Sequence, residues 1–302
     1  MSEHHHAVSG KNLFITIILN VIITLSQIIG GILSGSLALL SDAMHNFSDV
    51  FALVIAWWAN RLAAKPATQE RTFGYKRAEI IAALFNAAVL IGIGIFLIIE
   101  AFQKFYHPKA IHSTWVIGLG LLSIVLNAAS VLLVKEDAKE SMNVKAAYLH
   151  LLTDIMTSVA VVVGGVLMYY YSLFWIDPLV SMLIAFYLLW ASFEIVRESI
   201  GILMQFSPHD IDIDEIVGTV NAIDEIKNIH HIHLWRLDDH RINFEAHLDF
   251  NEDLPLTKVG KVIDTIEETL HHSFNIDHVT LQCEYDREDD KSVISCKGAS
   301  HE

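Results

Sequence analysis

The sequence predicts a multi-pass α-helical membrane protein with six transmembrane helices, followed by a C-terminal α+β domain. Three observations carry that reading. Six long apolar runs precede residue 207, an acidic and differently patterned stretch follows it, and Lys and Arg gather on alternate connections between the runs. Of the 302 residues 53% are hydrophobic, but unevenly so. From Ser207 to Glu302 there are 22 Asp and Glu against 8 Lys and Arg, so nearly all of the formal charge of −15 sits there. Such a charge repels a polyanion, and no nucleic-acid partner is expected.

The apolar runs lie at roughly Leu13–Leu33, Ser36–Ala59, Ala78–Glu100, Ser113–Val134, Val144–Tyr170 and Leu173–Val196. Each is about 20 residues or more, enough to cross a ~30 Å hydrocarbon core, so the lipid bilayer is an expected partner. The joints at Ser34-Gly35 and around Ser172 leave room only for tight turns, which makes the flanking helices antiparallel neighbours. The start, MSEHHHAVSGKN, lacks a cationic n-region, so the first run reads as a retained helix. Lys11, Arg61, Lys65, Arg71, Lys76, Arg77, Lys135, Lys139, Lys145 and Arg197 fall on one side, against Lys104 and Lys109 on the other. That bias places both termini in the cytoplasm. Glycines recur in the spans, where they let helix backbones approach. Asn20, Gln27, Asn86 and Asn127 are expected to hydrogen-bond between helices.

The second and fifth runs carry residues that an apolar span should not. His45 and Asp49 lie four residues apart, and so do His150 and Asp154. On a helix that offset puts both side chains on one face, one turn apart. A carboxylate at mid-bilayer costs about 2.5–3.5 kcal/mol on insertion scales and is rarely there without a role. Two such pairs predict one tetrahedral site between two helices, with nitrogen and oxygen donors suited to Zn²⁺. Asp42 precedes His45 by one turn and reads as a neighbour of the site, not a ligand. Ligands must lose protons to bind metal, so metal and protons compete, and histidine titrates near neutral pH. Exchange of a divalent metal for protons by alternating access is the mechanism this implies.

Four parts follow along the chain. Residues 1–12 form a cytoplasmic segment containing His4–His6, which either collects metal or is an unstructured run; residues 13–206 form the transmembrane domain. Residues 207–286 read as α-β-β-α-β, a compact two-layer domain. Asp210 is the expected N-cap of its first helix, whose apolar face is Ile213, Ile216, Val217, Val220 and Ile223. Ile229–Leu237 is a β-type run, and Ile242, Phe244, Ala246, Leu248 and Phe250 alternate as a second strand across an Asp238-Asp239-His240 turn. A helix with Val259, Val262, Ile263, Ile266 and Leu270 inward follows, then a strand over His278–Tyr285. Residues 287–302 are charged and patternless and are expected to be disordered. Regular alternation puts His231 and His233 on one face, so His233, His247 and Glu284 form a candidate regulatory metal site; an exposed polar face is the competing reading. The two cysteines, Cys283 and Cys296, fit no zinc-finger spacing.

The stretch from Gly35 to Asp49 (GSLALLSDAMHNFSD), the loop from Phe73 to Glu79 (FGYKRAE) and the segment His150–Asp154 resemble the cation diffusion facilitators, most closely their bacterial zinc exporters. The resemblance covers essentially the whole chain. It implies a homodimer in the cell (inner) membrane with a cytoplasmic ferredoxin-like domain, exporting Zn²⁺ for protons. Zn²⁺ is then the transported substrate and a candidate regulatory ligand, and no organic cofactor is expected. His45 is similar to the zinc-preferring type, while Cd²⁺, Co²⁺ and Ni²⁺ remain open. Arg71 and Tyr75 stand where some relatives carry histidines for an extra site, and Gly260 and Gln282 where some carry histidines in the tail.

Two other classes stay open at this point. An intramembrane zinc metalloenzyme needs an open coordination position and a nearby base, and no H-E-x-x-H pattern occurs, so no enzyme is expected. A metal sensor would bind metal in the tail and signal to a partner.

Overall fold

The structure, a computed structural model, describes residues 10–135, 142–239 and 241–294. His4–His6, Lys139, Cys296 and His240 of the expected turn lie outside the described residues. Six long helices form in order: α1 (Gly10–Ser34), α2 (Leu37–Ala63), α3 (Ala78–Tyr106), α4 (Ser113–Val134), α5 (Met142–Tyr171) and α6 (Ile176–Leu203). All six contain apolar spans long enough for a bilayer. The joints are turns: Gly35 has φ +75° between α1 and α2, and Ser172 has φ +53° between α5 and α6.

In a bilayer nothing drives helices together hydrophobically, so small residues and buried polar contacts must do it. The apolar core runs through Leu37, Leu39, Leu97, Val116, Val161 and Ile184, from five of the six helices. Large apolar side chains such as Ile32, Phe96, Leu132 and Trp190 are exposed. That inversion is what a lipid-facing surface requires. Helix α4 packs on α1 and α5 through glycine. A Cβ on Gly30 would lie 1.8 Å from a Leu119 methyl, and one on Gly120 would lie 2.5 Å from a Val162 methyl. Gly118, two residues away, has nothing within 4 Å. Gly120→Ala is therefore expected to cost about 1–3 kcal/mol by overpacking, and Gly118→Ala close to nothing. Thermal unfolding of the two variants in detergent checks this, and equal melting temperatures would contradict the packing.

The C-terminal part runs α7 (Ile213–Asn221), β1 (Ile226–Arg236), β2 (Ile242–Phe250), α8 (Leu256–Phe274) and β3 (His278–Glu284). The sheet order is β1-β2-β3, with β1 antiparallel and β3 parallel to β2. The parallel pair needs a crossover, and α8 provides it. One sheet face meets the two helices: Ile229, Ile232 and Leu234, then Phe244 and Leu248, pack on Ile216, Val220, Ile266 and Leu270. Helix α8 ends at Asn275, in the left-handed region at φ 55°, whose N–H closes on the last carbonyls.

Three expectations need correction. The N-cap of α7 is Asp212, whose carboxylate accepts from Asp214 N–H at 2.9 Å, while Asp210 instead pairs with Arg236 at 2.7 Å. Residues 287–294, expected to be disordered, lie against β1: His231 N–H donates to Ser292 O and Ile232 N–H to Val293 O. Those two amides are free to do so because β1 is bulged there. His231 has φ +52°, and the register jumps from His230–His247 to His233–Glu245. The apolar positions Ile229, Ile232 and Leu234 break strict alternation, and an extra residue at His231 brings all three into the core.

Candidate metal centre

On α2 and α5 the paired residues sit one turn apart, with Asp49 and Asp154 each about 18 Å from the start of its helix. His45, Asp49 and Asp154 each offer an atom within 4.8 Å of the others, and His150 lies at the edge of this group. His45 Nε2 is 3.3 Å from Asp154 Oδ1, and His150 Nε2 is 3.3 Å from Asp49 Oδ2, so each imidazole faces the carboxylate of the other helix. The same-helix distances are longer, at 3.6 Å for His45–Asp49 and 3.9 Å for His150–Asp154. The imidazole rings meet edge-on with centroids 5.8 Å apart. His45 and Asp154 are buried, Asp49 is half-buried, and the His150 side chain is 41% exposed.

What these atoms lack is as informative as where they lie. Both ring nitrogens of His45, both carboxylate oxygens of Asp154 and Oδ2 of Asp49 are buried without a hydrogen-bond partner. The approaches have the distance of hydrogen bonds or ion pairs but not the direction. Leaving such a group unsatisfied costs about 1–3 kcal/mol, so a cluster of them marks a place prepared for something else.

Asp42 behaves in the opposite way. Its oxygens accept from Gln27 Nε2, from Thr157 Oγ1 at 2.8 Å and from Ser158 Oγ at 3.0 Å. Gln27 also accepts from Asn46 Nδ2 at 2.9 Å, which ties α1, α2 and α5 together beside the pairs. A carboxylate so engaged ties three helices together. Gln27 thus meets the expectation of an interhelical bond, whereas Asn127 bonds Ser123 within its own helix. A third buried acid of the spans, Asp177 on α6, is not among the predicted site residues. It accepts from Ser36 Oγ, from Leu37 N–H at 2.6 Å and from Ala38 N–H at 3.3 Å, capping α2 from another helix. In the α2–α3 loop the Arg71 guanidinium lies 4.9 Å over the Tyr75 ring.

In the C-terminal domain a second donor cluster forms, with one change of membership. His230, His247, Glu284 and Asp289 each offer an atom within 4.8 Å of the others. His233 does not join them. The bulge resets the pleat, so His233 is exposed opposite Glu245 while His230 sits opposite His247. His247 Nδ1 is 3.0 Å from Glu284 Oε1, and His230 Nε2 is 3.7 Å from Glu284 and 3.4 Å from Asp289. The Nδ1 atoms of both histidines are buried without a hydrogen-bond partner. Burial lowers the pKa of His247, with Glu284 opposing, which favours the neutral ring that a metal ligand must be.

Comparison with known proteins decides the family. The description "Cation efflux transmembrane domain" matches residues 13–204, and "Cation efflux protein, cytoplasmic domain" matches residues 208–286. The chain belongs to the cation diffusion facilitator family. Similar members include the cadmium, cobalt and zinc/H(+)-K(+) antiporter of Bacillus subtilis (strain 168), 33% identical over 297 residues, covering 98% of this chain and 95% of that protein. The metal cation efflux system protein CzcD of Cupriavidus metallidurans is 31% identical over 283 residues, 94% of this chain and 89% of its own. The zinc transporter ZitB of Escherichia coli (strain K12) is 30% identical over 263 residues, 86% of this chain and 83% of its own. As a cation diffusion facilitator, this chain is a multi-pass membrane transporter for metal-cation efflux and not an enzyme.

Proposed function

We propose that the chain exports Zn²⁺ from the cytoplasm in exchange for protons, with His45, Asp49, His150 and Asp154 holding the ion. The carrying observation is that His45, Asp49 and Asp154, from α2 and α5, each offer an atom within 4.8 Å of the others, with most of their donor atoms lacking any hydrogen-bond partner, while His150 Nε2 stands 3.3 Å from Asp49. Two neutral imidazoles and two carboxylates balance a divalent charge, and four nitrogen and oxygen donors suit tetrahedral zinc. Cd²⁺, Co²⁺ and Ni²⁺ fit similar donors, and the Bacillus subtilis relative is named for cadmium and cobalt beside zinc. With the ion gone, two carboxylates face each other in a poorly solvated space, and protonation relieves their repulsion. Metal and protons then alternate at one site. Both termini are cytoplasmic in this reading, on the strength of the Lys/Arg bias, and family membership supports a homodimer in the cell (inner) membrane. The cluster of His230, His247, Glu284 and Asp289 is the proposed cytoplasmic regulatory metal site.

The test is metal uptake into proteoliposomes under an imposed pH gradient. Protein whose cytoplasmic face is outward is expected to take up Zn²⁺ severalfold faster when the lumen is acidic, and to lose that gain with a protonophore. Flux indifferent to the gradient would remove the proton half of the mechanism.

A further inference from the structure

Residues 287–294 lie beyond the segment that matches the cytoplasmic-domain family, which ends at 286, yet they enter its donor cluster. Two backbone bonds, from His231 and Ile232 to Ser292 and Val293, fasten this strap along the bulged strand. Asp289 and Lys291 then project over the sheet face that bears the histidines. Asp289 Oδ2 reaches His230 Nε2 at 3.4 Å and His247 Nδ1 at 3.9 Å. The Lys291 ammonium lies 2.8 Å from Asp249 Oδ2 and 3.4 Å from Glu284 Oε2, and also pairs closely with Asp289. Arg287 binds the other oxygen of Glu284 at 2.8 Å. Under this cover His230 is wholly buried, and its Nδ1 has no hydrogen-bond partner.

One ammonium therefore touches three carboxylates, two of them in the donor set. A lysine cannot accept a lone pair, so it satisfies Asp249, Glu284 and Asp289 while leaving the Nδ1 atoms of His230 and His247 unmet. A divalent cation would satisfy both kinds of donor. Its arrival on Glu284 and Asp289 sets two cations on the same carboxylates, and their mutual repulsion weakens the hold of each.

We propose that the strap is a built-in part of the cytoplasmic metal site, with Asp289 as its fourth ligand and Lys291 as a tethered cation that competes with the metal. This rests on the reading of that cluster as a metal site. The competition is between two cations for the same carboxylates. Because the competitor is tethered, it sets a threshold metal concentration below which the cluster stays closed on itself.

The experiment titrates the full-length protein in detergent with Co²⁺, reading the tetrahedral d–d absorption, in an Asp154→Ala background that disables the intramembrane site. Lys291→Met is expected to bind Co²⁺ about fivefold more tightly, the worth of a partly exposed ion-pair network. Lys291→Arg keeps the competing charge and is expected to bind as the parent does. Asp289→Asn is expected to bind about 10–100-fold more weakly and to shift the spectrum, since a ligand oxygen is replaced. If the parent binds Co²⁺ in a manner sensitive to His247→Ala but Lys291→Met is no tighter and Asp289→Asn no weaker, the strap has no part in the site. If His247→Ala matches the parent, there is no metal site in this domain, and both readings fall.

Discussion

Replacing Asp154 with alanine is expected to abolish metal flux while leaving the protein folded. The loss of a direct ligand exceeds the roughly 10–100-fold that even supporting groups cost a metal site. What makes the result diagnostic is stability. Both Asp154 oxygens are buried without a hydrogen-bond partner, so their removal breaks no hydrogen bond between α2 and α5 and loses only the 3.3 Å approach of His45. Deleting such an acid removes a desolvation cost, and the metal-free variant should melt at or slightly above the parent temperature. Zn²⁺ should raise the melting temperature of the parent more than that of the variant, which keeps only the cytoplasmic cluster, because only a species that binds the folded state stabilises it. Asp49→Ala should behave alike. Asp42→Ala should do the reverse, losing stability through its severed bonds to Gln27, Thr157 and Ser158. Uptake into inside-out vesicles, read with melting curves with and without Zn²⁺, separates these cases. Flux surviving in Asp154→Ala would mean that the ion passes elsewhere.

The grouping of the two His-Asp pairs was legible because it is written twice in local code. A four-residue offset within an apolar span needs no knowledge of the tertiary fold to place two side chains on one face. The spans themselves follow from length and hydropathy, and the apolar faces of α7, β2 and α8 from their periods. What escaped reading was set by contacts distant in sequence. Asp42 looked like a neighbour of the site, but its engagement depends on Gln27, Thr157 and Ser158 arriving from two other helices. The exchange of His233 for His230 did leave a trace. Ile229, Ile232 and Leu234 cannot all face inward on a regular strand, and that parity break announces a bulge. The strap left none, because a few charges and two backbone bonds have no period to detect.

Asp177→Ala should be the most damaging single change away from the metal ligands. Every helix begins with N–H groups that its own backbone cannot satisfy, and in a bilayer no water is available to do so. Helix α2 meets this need from outside itself, since Asp177 on α6 accepts from Leu37 N–H, Ala38 N–H and the Ser36 hydroxyl, all buried. The carboxylate also lies at the positive end of the α2 dipole. One turn further, Ser41 and Ser181 share a hydrogen bond of 2.6 Å, so α2 and α6 are joined at two levels. Loss of a cap costs about 0.5–2 kcal/mol, and each donor left buried and unpaired costs about 1–3 more. Asp177→Ala is therefore expected to lose about 3 kcal/mol or more. Asp177→Asn, which keeps one acceptor oxygen, should fall between it and the parent. Because α2 carries His45 and Asp49, its mooring also fixes the geometry of half the transport cluster, and flux should fall with stability. Thermal unfolding in detergent gives the order directly. An Asp177→Ala protein that melts with the parent would show that α2 draws its support from elsewhere.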